Sequence, residues 1–333
     1  MRKVWCALVL SCFFNAIPIA AATVIKIGCI APVGSPWDVA LKRISADWNS
    51  ISGGKVVLKV YSGGTAGDEP DMIRKVRMGQ IDGIGVSGVG LILMDPAIMS
   101  FHIPLLMRTD AEADYIFSAV QPTFEANLKK EGYTVMFWSR VGWLHFFSKK
   151  PVVTPNDLKK NRLFVWGASI DEEKSWKENG FNPITMPATE MMTALQSGMI
   201  EAFTTSPLVA ASFQWFGLAP NMCEMNWTPF IGALVVSNRI WQSIPEDLAT
   251  QLRASAKKNG AAMQSEIAET EAKAISIMLE NGLKINAVPP EVVEQWAAIV
   301  EKGFLPKFSR KSYDPDLYEK IRNMLKDYRA NNK

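Results

Sequence analysis

Apolar residues recur at helical spacing through Met191, Met192, Leu195 and Met199, so the stretch Glu190–Pro207 opens as an amphipathic helix. Gly198 stands where a helix ends on a left-handed residue, and Ile200–Thr204 then reads as a short, mostly apolar strand. The same pattern occurs earlier, in Asp71–Gly88. In ungapped register Asp71 falls on Glu190, Met72 on Met191, Val76 on Leu195 and Gly79 on Gly198. Ile81–Asp82 then falls on Ile200–Glu201 and Ser87 on Ser206, at a constant offset of 119 residues (Asp71 to Glu190). A period that long predicts two lobes built alike rather than a solenoid, and two such lobes facing each other make a cleft.

The rest of the pattern fits that reading. Val24–Ile30 is a strand, Ser35 and Pro36 are placed as N-cap and first residue of a helix running to Ser50, and Lys55–Tyr61 is the next strand. Strand, helix, strand in this rhythm predicts a parallel α/β lobe. The loop Ser62–Glu69 leads into the first copy of the repeat, whose strand is Gly83–Val86. Leu91–Pro104 is apolar and irregular, Asp110–Glu131 a long amphipathic helix and Tyr133–Ser139 a strand. A second lobe starts near Gly142, with strands Leu144–Ser148 and Arg162–Trp166, helix Asp171–Asn179 and strand Asn182–Met186 before the second copy. Asn221–Trp227 and Ile231–Ser237 are expected to cross back to the first lobe. Pro245–Asn281 is one helical pattern of 37 residues, roughly 55 Å at 1.5 Å per residue and long enough to lie across both lobes. Three shorter helices are expected to close the chain. The fold class is α/β, two lobes each with a mixed sheet flanked by helices. Residues 23–141 plus 230–265 are expected in lobe I and 142–229 plus 266–333 in lobe II.

At 333 residues the chain exceeds the usual single-core size, which agrees with two domains. Residues 1–22 carry Arg2 and Lys3, an apolar run, then Ala20-Ala21-Ala22, the pattern of a secretory signal peptide cleaved near Ala22. Asn15 and Pro18 interrupt the run and argue against an uncleaved anchor. A lipid anchor at Cys12 would follow too short an apolar stretch. Without Arg2 and Lys3, 34 basic residues face 33 acidic ones, and nothing in that balance calls for nucleic acid. Cys29 and Cys223 remain after cleavage, and a buried free thiol in each lobe is expected rather than a bridge.

Chemistry of the catalytic kind is poorly supplied. Gly83-Ile84-Gly85-Val86-Ser87-Gly88 satisfies G-x-G-x-x-G, yet a dinucleotide site needs those glycines between a strand and a helix. Here they form the strand itself, which predicts tight packing and no cofactor. The two histidines, His102 and His145, lie in apolar surroundings, and neither a nucleophile elbow nor a zinc motif occurs. The shortage favours a binding protein over an enzyme.

Several motifs in order carry a resemblance. They are Tyr61–Asp68 (YSGGTAGD, similar to Y-P-x-x-Q-L-G-D), Met78–Asp82, Phe101–Leu106 (FHIPLL), Pro155–Leu158, Thr189–Gly198 (TEMMTALQSG) and Ile244–Leu248. Together they make the chain resemble the DctP-family solute receptors of tripartite ATP-independent periplasmic (TRAP) transporters. The resemblance implies two lobes joined by crossing strands and a long spanning helix, and a ligand held in the cleft. It also implies delivery of that ligand to membrane permease subunits, with a further periplasmic protein as an additional partner in view. Most such receptors hold a carboxylate through a bidentate arginine in D-L-x-G-x-K-x-R, whose fork matches the carboxylate in geometry and charge.

This chain departs from the pattern at that point. Phe164 stands where the arginine belongs, Leu144 where a second arginine often stands, and only Thr205 or Ser206 precedes Pro207 in place of the usual asparagine. Tryptophans cluster in the same segments, at least half of them expected in the core. The candidate ligand-binding residues are Trp37, Ser87, Trp138, Arg140, Trp143, Leu144, Phe164, Trp166, Ser206, Trp215 and Phe230. The expected cargo is a small hydrophobic or amphipathic molecule. The alternatives are an ordinary carboxylate anchored by Arg140 through a register slip, a secreted α/β enzyme, or a non-transporting sensor that keeps the fold.

Overall fold

The computed structural model describes residues 22–166 and 170–332. The expected signal peptide, 1–22, falls outside the described residues except for Ala22. Among the described residues ten strands are formed: β1 (Thr23–Cys29), β2 (Val56–Tyr61), β3 (Gly83–Ser87), β4 (Tyr133–Ser148), β5 (Arg162–Trp166), β6 (Asn182–Met186), β7 (Ala202–Thr205), β8 (Asn221–Glu224), β9 (Thr228–Ser237) and β10 (Lys284–Ala287). The helices are α1 (Pro36–Ile51), α2 (Glu69–Arg77), α3 (Gly88–Met94), α4 (Met99–His102), α5 (Asp110–Lys130), α6 (Pro155–Leu158), α7 (Ile170–Glu178), α8 (Met191–Ser197), α9 (Pro207–Ser212), α10 (Asn238–Trp241), α11 (Glu246–Glu280), α12 (Pro290–Ile299) and α13 (Pro315–Asn331).

The strand order is β2-β1-β3-β9-β4-β7-β5-β6, with β8 beside the end of β4 and β10 beside β8. This order is two-fold in character. In one lobe β3 runs parallel to β1 and antiparallel to the crossing strand β9. In the other, β7 runs parallel to β5 and antiparallel to the crossing strand β4. The repeat seen in the sequence is therefore a repeat of structure. α2 and α8 are each followed by a left-handed glycine, Gly79 (φ 72°) and Gly198 (φ 74°). Each then leads to a strand, β3 or β7, and to a serine that caps the next helix, Ser87 for α3 and Ser206 for α9.

β4 is one strand of 16 residues where two were expected. Its first part pairs with β9 and its last part with β7, and the register breaks between Arg140 and Trp143, at Gly142 (φ 82°). The change of pairing partner along β4 thus falls beside Gly142. β9 crosses as expected, but β8 does not: it pairs with Phe147 and Ser148 of β4 and with β10, inside the second lobe. Leu91–Pro104 is helical rather than irregular, because Ser87 and Asp95 each cap a short helical turn. β10, a four-residue strand paired with β8, also precedes the closing helices.

α11 joins the lobes from outside the sheet. Leu252, Ala256, Met263 and Ile267 bury into the first lobe's core with Ile44 and Trp48 of α1, while Met278 belongs to the second lobe's core with Phe147 and Phe203. Gly260 lets the helix lie directly on Phe137, since a Cβ there would sit 2.6 Å from that ring. The expected assignment of 266–333 to lobe II needs correction for α13. Leu317, Ile321 and Leu325 pack with Ile116, Phe124 and Leu128 of α5 in the first lobe's core. α12 does pack on the second lobe, where Trp296 stacks on Phe146 at 5.3 Å. The glycines of Gly83–Gly88 serve packing as expected: a Cβ on Gly83 would lie 2.3 Å from the Val235 carbonyl oxygen. Cys29 and Cys223 are buried and unbridged.

Candidate ligand cleft

Parallel α/β strands deliver ligand sites at their carboxyl ends, and here the ends of β1, β3, β5 and β7 converge on one cavity of about 240 Å³. The first lobe contributes Cys29–Pro32, Ser35, Trp37, Glu69 and Gly85–Ser87. The crossing strands contribute Val141 and Phe230–Gly232. The second lobe contributes Phe164, Trp166, Ala188, Met191, Met192, Thr204, Thr205, Leu208, Val209, Phe213 and Trp215. Both copies of the repeat therefore supply a wall.

The aromatic walls are held by contacts behind them. Trp37 stacks on Phe137 at 5.6 Å, and Phe213 stacks on Trp215 at 4.5 Å with the rings 10° apart. Phe164 is 5% exposed and belongs to the core formed with Phe147, Phe203, Trp215 and Met191. Trp166 is fixed from the opposite lobe: its Nε1 donates to Asp68 Oδ2 at 3.0 Å, and the Ala188 amide donates to the same oxygen at 3.2 Å. These two bonds tie the lobes together beside the cleft.

Charge is scarce there. Among the described residues no lysine, arginine or histidine lines the cavity, and its one carboxyl is Glu69. That carboxyl accepts from the Ser87 amide (2.7 Å), the Ser87 hydroxyl (2.8 Å) and the Gly90 amide (3.0 Å). Burial pushes it up to about 7 against these three bonds, which pull the other way. Burial also pushes the neighbouring Cys29 thiol up to about 12.

Of the residues singled out from the sequence, Trp37, Ser87, Phe164, Trp166, Trp215 and Phe230 lie on the cavity wall. The other five do not. Side chains alternate across a strand, and Val141 takes the cavity-facing position, which turns Arg140 to the other side of β4. There Arg140 pairs with Asp110 (2.5 Å) and Asp114 (3.1 Å) of α5, and its backbone is held by Gln264 of α11. Trp143 donates to the same Asp110 (2.8 Å), and Trp138 donates to Glu125 (3.0 Å) with its ring edge against Phe117. Leu144 packs into the second lobe's core, and Ser206 is fully buried, spending its hydroxyl on the Val209 amide. The residues missed were Glu69 and the small or flexible apolar ones, Ala188, Met191, Met192, Leu208 and Phe213. Only the two methionines carried a signal, through their place in the repeat.

Nothing here resembles a catalytic centre. His102 is buried and His145 half-buried, both away from the cavity, and desolvation lowers both to about 4. No cluster of metal-ligating side chains occurs among the described residues, and none of the described helices is long and apolar enough to cross a membrane.

Comparison with known proteins agrees with the two-lobed fold. The DctP family model, described as bacterial extracellular solute-binding protein, family 7, matches residues 27–309. The 2,3-diketo-L-gulonate-binding periplasmic protein of Escherichia coli K12 is 26% identical over 252 residues, 74% of this chain and 76% of that one. The sialic acid-binding periplasmic protein of Vibrio cholerae is 20% identical over 275 residues, 81% of this chain and 84% of that one. Among solved structures, a TRAP periplasmic solute-binding protein from Xanthobacter autotrophicus with bound β-D-galacturonate superposes with a TM-score of 0.81. It is 22% identical and covers 90% of this chain and 99% of its own. One from Shewanella oneidensis with bound succinate gives 0.83 at 16% identity, covering 91% and 99%. These relatives are binding proteins of transporters and not enzymes, and the chain belongs to the DctP family of TRAP solute-binding receptors.

Proposed function

We propose that this receptor captures a small hydrophobic or amphipathic molecule between its lobes and hands it to TRAP membrane permease subunits. The observation that carries the proposal is the cavity wall: aromatic and aliphatic on both sides, with no cation among the described residues and Phe164 in the cavity. Apolar walls supply affinity by removing ligand surface from water, and the few hydroxyls, Ser87 and Thr204 among them, set orientation. The ligand-contacting residues in this reading are Trp37, Ser87, Phe164, Trp166, Trp215 and Phe230. The signal pattern of residues 1–22 supports export, with cleavage near Ala22, to the compartment where DctP-family proteins act. A further periplasmic partner remains part of the proposal and rests on family resemblance alone.

Lobe closure is the mechanism. β4, β9 and α11 connect the lobes, and a ligand that touches both walls stabilises the closed form by its differential affinity for it. The Trp166–Asp68–Ala188 bonds join residues of the two lobes and serve as a latch in this reading.

The competing reading, a carboxylate receptor, is favoured by the relatives whose structures hold galacturonate or succinate. Native mass spectrometry of the purified protein, followed by calorimetry with hydrophobic amino acids, medium-chain amides and dicarboxylates, separates the two. Tight binding of a small dicarboxylate by the unmodified protein would end the apolar-cleft reading.

A further inference from the structure

Among the described residues Glu69 is an acid with no base in the cavity wall to answer it. Its side chain has no solvent-exposed surface, so a ligand meets its field and not its atoms. It sits on the amino end of α3, taking the Ser87 and Gly90 amides that would otherwise be open to an anion. Gly90 is required for that approach: a Cβ there would lie 2.5 Å from Glu69 Oε2 and 2.3 Å from Val86.

The internal repeat offers a control for the idea that Glu69 merely holds the helix in place. At the same 119-residue offset Glu69 corresponds to Ala188 and Gly90 to Val209. The second lobe builds the same strand, cap and helix without a carboxylate, because Ser206 Oγ accepts from the Val209 amide at 3.3 Å. Ala188 and Val209 line the opposite wall of the same cavity. The helix–strand–helix unit therefore does not need the acid, and the lobe that has it spends a buried charge on it.

We infer that Glu69 is a specificity-determining residue that makes the cleft reject anions and accept neutral or cationic heads on an apolar body. The inference rests on the apolar-cleft function proposed above and sharpens it to a ligand class. A protonated amine gains twice: from the negative field of Glu69, and from the faces of Trp37, Trp166 and Phe230, which attract cations through the ring quadrupole. A carboxylate head meets the same field as repulsion. Among the described residues it finds no guanidinium or ammonium in the wall to offset its lost hydration.

The test uses two matched probe sets that differ only in head group: 1-naphthylacetate, 1-naphthylacetamide and 1-naphthylmethylamine, and hexanoate, hexanamide and hexylamine. Calorimetry on the unmodified protein at about pH 8.5, where Glu69 is mostly ionised, should show neutral and cationic probes binding at least about tenfold tighter than the anions. In Glu69→Gln the gap should narrow to within about threefold. The unmodified protein at about pH 5.5 provides the same comparison without a substitution, since Glu69 is then mostly protonated while the probe acids stay ionised and the amines charged. The titratable groups around it are Asp68 at the N-cap of the same helix, the Cys29 thiol of β1, which stays neutral, and His102 behind Gly88, also neutral across this range. Anions binding as well as amides at pH 8.5 would overturn the inference and leave the apolar cleft standing. An anion penalty that persists unchanged in Glu69→Gln and at pH 5.5 would also overturn it, reducing Glu69 to a tie between α2 and α3. Failure of all six probes to bind in any form would overturn the apolar-cleft reading and this inference with it.

Discussion

Phe164→Arg is the substitution that most directly sets an apolar cleft against a charged one. It introduces the arginine that the family resemblance implies at this position of β5. Phe164 is 5% exposed and packed with Phe147, Phe203, Trp215 and Met191. Losing that burial costs about 1.5–3 kcal/mol. The guanidinium that replaces it finds one carboxyl in the cavity wall, Glu69, whose oxygens already accept three hydrogen bonds. An unpaired buried charge adds at least about 2 kcal/mol more. A total near 4 kcal/mol is a large share of a typical folding stability. At about 2 °C per kcal/mol for a chain of this size, the thermal midpoint should fall by roughly 8 °C. Binding of apolar amides should be lost, and no succinate or galacturonate binding should appear. Arg140→Ala is the counterpart. Arg140 spans Asp110 and Asp114 at a partly exposed site, so its removal should cost at most about 1 kcal/mol and leave ligand affinity unchanged. Differential scanning calorimetry and titration calorimetry on both variants read these numbers. The reasoning is refuted if Phe164→Arg gains a tight carboxylate ligand at unchanged stability, or if Arg140→Ala abolishes binding.

Three further expectations follow from the same geometry. Asp68→Ala removes both bonds that tie Trp166 and Ala188 to the first lobe, so small-angle scattering with ligand should show a more open molecule than wild type; identical dimensions and affinity would count against a latch. Gly142→Ala puts a side chain at φ 82°, 2.5 Å from the Glu271 carboxylate, and should cost about 1–3 kcal/mol by thermal unfolding; an unchanged midpoint would show that the register break in β4 is not constrained. The third concerns pH. Burial raises Glu69, Glu172 and Glu271 to about 7, so the folded state holds protons that the unfolded chain releases from about 4.5 upward, and stability falls as pH rises through that window. His102 and His145, lowered to about 4, act in the opposite sense below about 6.5, which leaves the decline visible between roughly pH 6 and 8. Thermal midpoints rising with pH across that range would contradict it.

Much of the fold was legible because it repeats itself. Gly79 and Gly198 can be read as helix ends from position alone, and both adopt the left-handed conformation that a helix end favours. The 119-residue offset turned two weak local patterns into one strong one. What the pattern could not show was where an element packs when its apolar stripe suits either lobe. α13 has such a stripe, and only the tertiary fold decides that Leu317, Ile321 and Leu325 face α5. The same holds for β8, a four-residue strand of mixed polarity whose side of the molecule is set by its pairing with β10, itself too polar to read as a strand.

The site shows the same division between what spacing fixes and what it leaves open. Ser87 and Trp166, at or just past the carboxyl ends of predicted strands, lie on the cavity wall because an α/β lobe leaves few other places for a strand end to point, and Phe164 shares the face of Trp166 two residues earlier. Residues in the middle of β4 were not constrained in that way. A strand presents alternate residues to opposite faces, so a one-residue uncertainty in register exchanges Arg140 for Val141. The sequence around Gly142 contains such an uncertainty, since a left-handed glycine inside a long strand shifts the alternation by an amount that only the pairing with β9 determines. The outcome carries chemical weight. Had Arg140 faced inward, the cavity would hold a cation opposite Glu69 and would suit a zwitterion or a carboxylate. With Val141 there instead, Arg140 is neutralised by α5 and Glu69 keeps its field. In the proposed reading the ligand class thus turns on which of Arg140 and Val141 faces the cavity.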